Sequence, residues 1–273
     1  MKARKSAKHN AARAKAAIVC LARGHHNFSD YDQLIARNRS IFETINRYRS
    51  RHYPLVIWHE GNISSKHRRY ILAREANRDV RFVDVSLVFQ APDWVAGGLQ
   101  EDWLLGYRLM CRFHIYYVWQ YANEFVYVMR LDDDCILRSV AADPIEWLAA
   151  TGRDFGAAAF VAETHALTNR TLPHFVADCM KVIHPSAAQA LDLYNQGFPY
   201  TNLYVTRTAF WLQPHVQWFL YAAISQPESI RFRWGDLPVL GVALNAFSVV
   251  DRVGLIPGLV YQHESHHATI VSG

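Results

Sequence analysis

Cysteine is scarce in this chain: four occur in 273 residues, at Cys20, Cys111, Cys135 and Cys179. No two have CxxC spacing and each sits in an apolar stretch, which argues against a disulfide framework and for reduced, buried thiols. Long apolar runs are also missing, since none approaches the roughly 18 residues that span a bilayer. The basic start followed by Ala16–Ala22 has the outline of a signal sequence. However, Arg23-Gly24-His25-His26 stands where a small-residue cleavage site belongs, so the stretch reads as a first β-strand. A soluble, cytoplasmic protein without a membrane anchor is the expectation. Internal repeats and low-complexity linkers are absent too.

Excess charge of one sign is confined to one end. The net charge is +5, and the first seventeen residues carry Lys2, Arg4, Lys5, Lys8, Arg13 and Lys15 with no acidic residue. Setting those six aside from the 29 basic residues leaves 23 against 24 acidic ones, so the body is near neutral. Residues 1–16 read as a flexible basic tail, usually a solvated end but able to touch an anionic surface. A specific nucleic-acid partner is not expected from a near-neutral body. Hydrophobic residues are 51% and aromatics 13%, enough to build a sizeable core and to exclude a disordered chain.

Strand and helix patterns alternate through the first half. Residues 17–22 are an apolar, β-branched run of the buried-strand kind. Ser29 and Asp30 can cap a helix from Tyr31 to Arg49, with Leu34, Ile35, Phe42, Ile45 and Tyr48 at helical spacing. Leu55–Trp58 is a second strand, 65–77 a charged surface helix, and Val80–Val88 a third strand. Residues 104–121 form a long aromatic helix, and Phe125–Met129 is a fourth strand running into three aspartates. The second half is less regular, with strand candidates at 155–161, 200–206 and 255–262 and helix candidates at 185–195, 208–222 and 236–247. Such alternation predicts an α/β fold with a mixed, mostly parallel central sheet flanked by helices.

Four clusters carry chemistry. Arg130-Leu131-Asp132-Asp133-Asp134-Cys135 places three mutually repelling carboxylates at a strand end, where a hard divalent cation is the natural counter-charge. An ordinary acidic turn is the plain alternative. In Tyr261-Gln262-His263-Glu264-Ser265-His266-His267, His263 follows a strand-like run and is the better ligand candidate, while His266 and His267 read as a polar terminus. In Arg231-Phe232-Arg233-Trp234-Gly235-Asp236-Leu237-Pro238, Asp236 could cap the next helix or accept bonds from sugar hydroxyls. In Gly106-Tyr107-Arg108-Leu109-Met110-Cys111-Arg112-Phe113, Tyr107 offers an aromatic face and Arg108 and Arg112 two phosphate-pairing forks.

In order and spacing these clusters resemble the fungal α-1,2-mannosyltransferases of glycosyltransferase family 15. The family's S-Y-R-H-M-C-R-F corresponds to 106–113, and its strand ending R-V-E-P to Arg130-Leu131-Asp132-Asp133. Its S-N-F-E-I followed by F-W corresponds to Thr201-Asn202-Leu203-Tyr204-Val205 with Phe210-Trp211. R-W-G-D-A-P is matched by 233–238, and G-Y-x-H by Val260-Tyr261-Gln262-His263. Leu21-Ala22-Arg23 matches the L-A-R of the first strand. The resemblance covers roughly residues 17 to 265.

That resemblance implies a GT-A fold, Mn2+ (or Mg2+), a GDP-mannose donor and retention of anomeric configuration. One domain over 17–273 is expected, with a nucleotide-binding half at about 17–138 and an acceptor half at about 139–273. Asp132, Asp134 and His263 are the expected metal ligands. Tyr107, Arg112, Arg130 and Asp133 are expected at the nucleotide-sugar cofactor, and Asn202, Tyr204 and Asp236 at the sugars. Tyr204 falls where the family has a glutamate proposed as nucleophile. Tyrosine is far less acidic, which favours a same-face mechanism over double displacement. The expected partners are a nucleotide sugar and a glycan acceptor. A same-fold transferase using a UDP-hexose and a catalytically inactive glycan-binding module are the alternatives.

Overall fold

The structure, a computed structural model, describes residues 15–50, 52–93, 95, 104–183, 194, 197–263 and 268–272. The basic tail up to residue 14, Glu264 to His267, and all but one residue of the helix expected at 185–195 lie outside the described residues.

Among the described residues, seven strands form the central sheet. β1 (Ala16–Ala22) is flanked on one side by β2 (Leu55–His59) and β3 (Val80–Asp84), all parallel. On the other side it pairs in parallel with β4 (Tyr127–Leu131). Beyond β4 come β9 (Leu203–Arg207), β6 (Phe155–Ala157) and β10 (Val253–Leu255), in the order β10-β6-β9-β4-β1-β2-β3. β9 alone runs against its neighbours β4 and β6, and β7 (Phe160–Val161) pairs antiparallel with β8 (Phe198–Pro199) in a separate two-stranded sheet. β1, β2 and β4 are apolar and buried along almost their whole length because helices cover both faces of the sheet. Alternation divides them: Ala17, Val19 and Val128 enter one core with Trp58, Trp119 and Trp211, whereas Ile18, Met129 and Leu131 enter the other.

A smaller antiparallel sheet decides the site. β5 (Cys135–Ser139) starts just past the three aspartates and pairs with β11 (Val260–His263), which also pairs with β12 (Ala268–Val271). Its register sets His263 opposite Cys135. The sequence patterns did not reveal β5, whose five residues follow directly on a polar turn.

The helices depart from expectation at identifiable residues. The first, α1 (Asp32–Thr44), begins after a 3₁₀ turn at Phe28–Tyr31 and is shorter than the 31–49 pattern. The surface helix α2 (Ser65–Leu72) is capped by the Ser64 hydroxyl and stops short of 77. The long aromatic segment is α3 (Leu105–Arg112), a π-helical turn at Phe113–Tyr117, and α4 (Val118–Tyr121). α5 (Pro144–Thr151) is capped by Asp143, whose carboxylate accepts from the amides of Ile145 and Glu146. α6 (Ala166–Ile183) is a further helix that the patterns did not reveal. Residues 208–222 are divided into α7 (Thr208–Trp211) and α8 (Pro214–Ser225), because Pro214 starts a new helix. α9 (Pro227–Arg231) precedes α10 (Asp236–Phe247), whose bounds are those expected. No helix among the described residues is long and apolar enough to cross a membrane.

Candidate active site

The carboxyl ends of β1, β2 and β4 open into a cleft with two lobes. One, of about 890 Å³, is lined by Arg23, Gly24 and His25 after β1 and by Glu60 and Asn62 after β2. The other, of about 840 Å³, is lined by Asp132, Glu163, Tyr200, Asn202, Asp236 and His263 among others. Both include Leu21, Tyr107, Met110, Asp133 and Asp134, so the lobes meet at the aspartate turn. In the sheet, β1 has β2 on one side and β4 on the other. That switch point is where open α/β sheets bind ligands. Another cavity of about 890 Å³, near Arg49 and Asp143, shares no lining residue with this cleft.

Arg130 organises the carboxylates from behind. Its Nε and Nη2 donate to the two oxygens of Asp132 (2.7 and 3.2 Å), and its Nη1 donates to Asp236 Oδ2 (2.5 Å). Arg130 is 3% exposed, so these are desolvated, charge-assisted bonds. Burial pushes the Asp132 carboxyl up from its ordinary value while Arg130 pulls it back. Asp133 has no such bonded counter-ion among the described residues, and burial, then repulsion from Asp132 and Asp134, outweighs the charges of Arg37 and Arg23 and pushes it up to about 7. Asp236 does not cap its helix. Gly235 occupies the cap position, and Asp236 lies in the first turn with its carboxylate directed to Arg130.

Asp134 faces the opposite way. Its Oδ2 lies 3.2 Å from His263 Nε2. The ring is oriented by Asn202, whose amide nitrogen is 2.8 Å from His263 Nδ1, and by the Tyr200 hydroxyl at 3.2 Å. The Tyr261 hydroxyl lies 2.7 Å from Asn202 Oδ1, and because a hydroxyl donates or accepts, it accommodates either orientation of the amide and so either tautomer of His263, including the one with Nε2 free for a cation. Asp134, Cys135 and His263 bring an oxygen, a sulfur and a nitrogen within 4.8 Å of one another. Burial raises the Cys135 thiol well above its ordinary value, and its sulfur is a softer donor than the oxygen and nitrogen beside it. A carboxylate with a neutral imidazole fits a divalent ion such as manganese. Across both lobes, the described lining residues set the carboxylates of Asp30, Glu60, Asp132, Asp133, Asp134, Glu163 and Asp236 against the guanidinium groups of Arg23, Arg130 and Arg233. A polyanionic ligand could enter that field only together with a cation.

The remaining expected residues separate. Tyr107 stands at the junction of the lobes and its hydroxyl accepts from Arg233 Nη2 at 3.1 Å, with the guanidinium 5.1 Å from the ring centre. Arg233 takes a left-handed backbone (φ 55°) in the turn before α10. Arg112 lines neither lobe, and its buried Nε has no partner among the described residues. Arg108 is likewise structural, donating to the carbonyls of Ile230 and Arg231 at the end of α9. Tyr204 is 1% exposed and is not among the cleft-lining residues. It sits opposite Arg130 in the β4–β9 register, with its ring 4.9 Å from Phe155. Burial raises its hydroxyl far above the ordinary value.

Sequence reasoning missed Glu163, Tyr200 and His114. His114 belongs to the π-helical turn, lines the cleft, and is 1% exposed with Nδ1 unpartnered among the described residues. Burial, then Arg130, holds it well below the usual imidazole range, so it is neutral. The only local signal was a histidine within an otherwise aromatic helix.

Together, a mostly parallel sheet with one reversed strand, an acidic turn at the end of β4 and a histidine from a small second sheet define a GT-A-type fold. The chain is similar to a probable mannosyltransferase of Saccharomyces cerevisiae, KTR3, with 22% identity over 91% of this chain and 66% of that protein's length. Among solved structures it is similar to the mannosyltransferase Ktr4p of S. cerevisiae (TM-score 0.77, 17% identity, 96% of this chain and 80% of that one). It is also similar to core-mannan synthase A of Aspergillus fumigatus in its Mn/GDP form (TM-score 0.73, 16% identity, 92% and 75%). No protein-family model matches the chain. The resemblance and the fold read from the motifs are thus borne out: the similar proteins are mannosyltransferases and the architecture is shared.

Proposed function

We propose that this chain is a glycosyltransferase that moves mannose from GDP-mannose to a hydroxyl of a glycan, with retention of configuration. The observation that carries the reading is the pairing of Asp134 with His263 where the two lobes meet. The likeness to mannosyltransferases, one solved with manganese and GDP and another with GDP, supports the donor. Under this reading residues up to about 138 serve the donor and the rest mainly the acceptor, although one sheet runs through both halves.

Asp134 and His263 are the pair a divalent cation meets first, because both oxygens of Asp132 are taken by Arg130. When bound, that cation would neutralise the departing diphosphate. Asn202, Tyr200 and Tyr261 hold His263 in place, and Arg130 fixes Asp132 and Asp236 on the acceptor side. Tyr107 and Arg233 flank the junction, where a ring and a guanidinium suit a sugar diphosphate. No carboxylate stands at position 204, so a same-face displacement fits best. The acceptor oxygen bonds to the anomeric carbon as the carbon–phosphate oxygen bond breaks, and the acceptor proton passes to the leaving phosphate.

The test is binding and turnover of GDP-mannose and UDP-hexoses with and without Mn2+, for the parent, Asp134→Ala and His263→Ala. Manganese-dependent binding of the guanosine donor, weakened about tenfold or more in both variants, is expected. Failure to bind any nucleoside diphosphate under any metal would overturn the reading and leave a glycan-binding module as the better account.

A further inference from the structure

Among the cleft carboxylates, Glu60 has neither an assigned task nor a hydrogen-bond partner among the described residues. Glu60 follows β2 directly and lines the first lobe, with β1 standing between β2 and the strand β4 that ends in the aspartate turn. It is partly buried, unlike the exposed Asp30 in the same lobe, and makes no hydrogen bond or ion pair with any described residue. Burial raises its carboxyl from the ordinary value and the charge of Arg23 opposes this. A half-desolvated carboxylate without donors is costly unless a ligand supplies them. The lobe's floor is also shaped for close approach. A Cβ on Gly24 would lie 2.5 Å from the Asn62 carbonyl oxygen, so only glycine lets the end of β1 pass against the segment after Glu60.

On the strength of the nucleotide-donor reading above, we propose that Glu60 reads the base, accepting the N1–H and the 2-amino group of guanine on its two carboxylate oxygens. The diphosphate belongs at the aspartate turn after β4, which directs the base across the end of β1 toward Glu60 and Asn62 after β2. Guanine presents two adjacent donors on that edge, the complement of a carboxylate. Uracil offers one N–H flanked by two carbonyls, which would face Glu60 with lone pairs. Adenine places a bare ring nitrogen there. The residue therefore selects the guanosine donor and rejects the others by leaving a buried acceptor unmet.

The experiment measures dissociation constants of GDP, IDP, UDP and XDP with Mn2+, for the parent and for Glu60→Gln. IDP lacks only the 2-amino group, and XDP replaces it with a carbonyl. The parent should bind GDP about tenfold or more tightly than IDP, and UDP more weakly still. Glu60→Gln turns one acceptor into a donor, so GDP should weaken at least tenfold, IDP should weaken less, and XDP should bind better than it does to the parent. This switch toward XDP would not follow from misfolding, which weakens every nucleotide alike. Equal binding of GDP and IDP by the parent overturns this proposal while leaving the donor reading intact, as does a uniform loss in Glu60→Gln. Absence of binding by every diphosphate overturns the donor reading and this proposal with it.

Discussion

Replacing Arg130 with methionine should destabilise the protein more at high pH than at low pH. Methionine fills much of the volume but removes the single guanidinium shared by Asp132 and Asp236. Arg130 is 3% exposed and Asp236 6%, so water cannot take over its role. Removing one partner of a buried, hydrogen-bonded ion pair costs about 3–5 kcal/mol, since the orphaned charge remains desolvated. For a chain of this size that corresponds to a fall in melting temperature on the order of 10 °C. The pH dependence follows from the pull that is lost. Burial already raises the Asp132 carboxyl and Arg130 counteracts it. Without Arg130, its folded pKa moves further above its unfolded value of about 3.9. A carboxyl raised in the folded state favours folding while protonated, and stability falls as pH climbs above about 4 through the raised value. Thermal and urea unfolding at pH 5, 7 and 8 should show the variant's deficit growing with pH. Arg130→Lys, which keeps the charge but not the bidentate fork, should lie between parent and Arg130→Met. A deficit under about 1 kcal/mol at pH 7, or one no larger at pH 8 than at pH 5, would refute the view that Arg130 holds this cluster together.

Two further outcomes are expected. Tyr204→Phe should keep most transfer activity, because the ring still packs on Phe155 and the hydroxyl meets Arg130 from the core side without lining the cleft. A fall of several orders of magnitude in kcat with an unchanged melting temperature would show instead that the hydroxyl takes part in the reaction. Gly241→Ala should destabilise by about 1–3 kcal/mol through overpacking. A Cβ there would come 2.2 Å from the ring of Phe198, and an unchanged urea midpoint would contradict that.

The elements legible in the sequence were those whose signal is local. β1, β2 and β4 are apolar runs because both faces of the sheet are covered, and such runs read as strands without knowledge of their neighbours. α10 was bounded correctly by glycine before it and a polar break after it. β5 and α6 were missed, the former hidden behind the aspartates. For α5 the Asp143-Pro144 start was present in the chain but stood in a stretch without clear periodicity.

The same division holds for the site. The motif order alone placed Asp132 to Asp134 at a strand end and singled out His263, since a cluster of like charges after a buried strand carries its own electrostatic warning. Which aspartate faces which partner was not decided there. Three adjacent carboxylates are chemically equivalent along the chain, and only the β5–β11 register, with His263 opposite Cys135, brings the imidazole to Asp134. Arg130 claims Asp132 and reaches Asp236 only because α10 packs its first turn against the end of β4. Tyr204, conspicuous in the motif, is turned into the core by the alternation of β9 beside Arg130. Local sequence determined the kinds of groups and the strands that carry them. Tertiary pairing assigned their partners, because desolvation and charge compensation depend on neighbours distant in the chain.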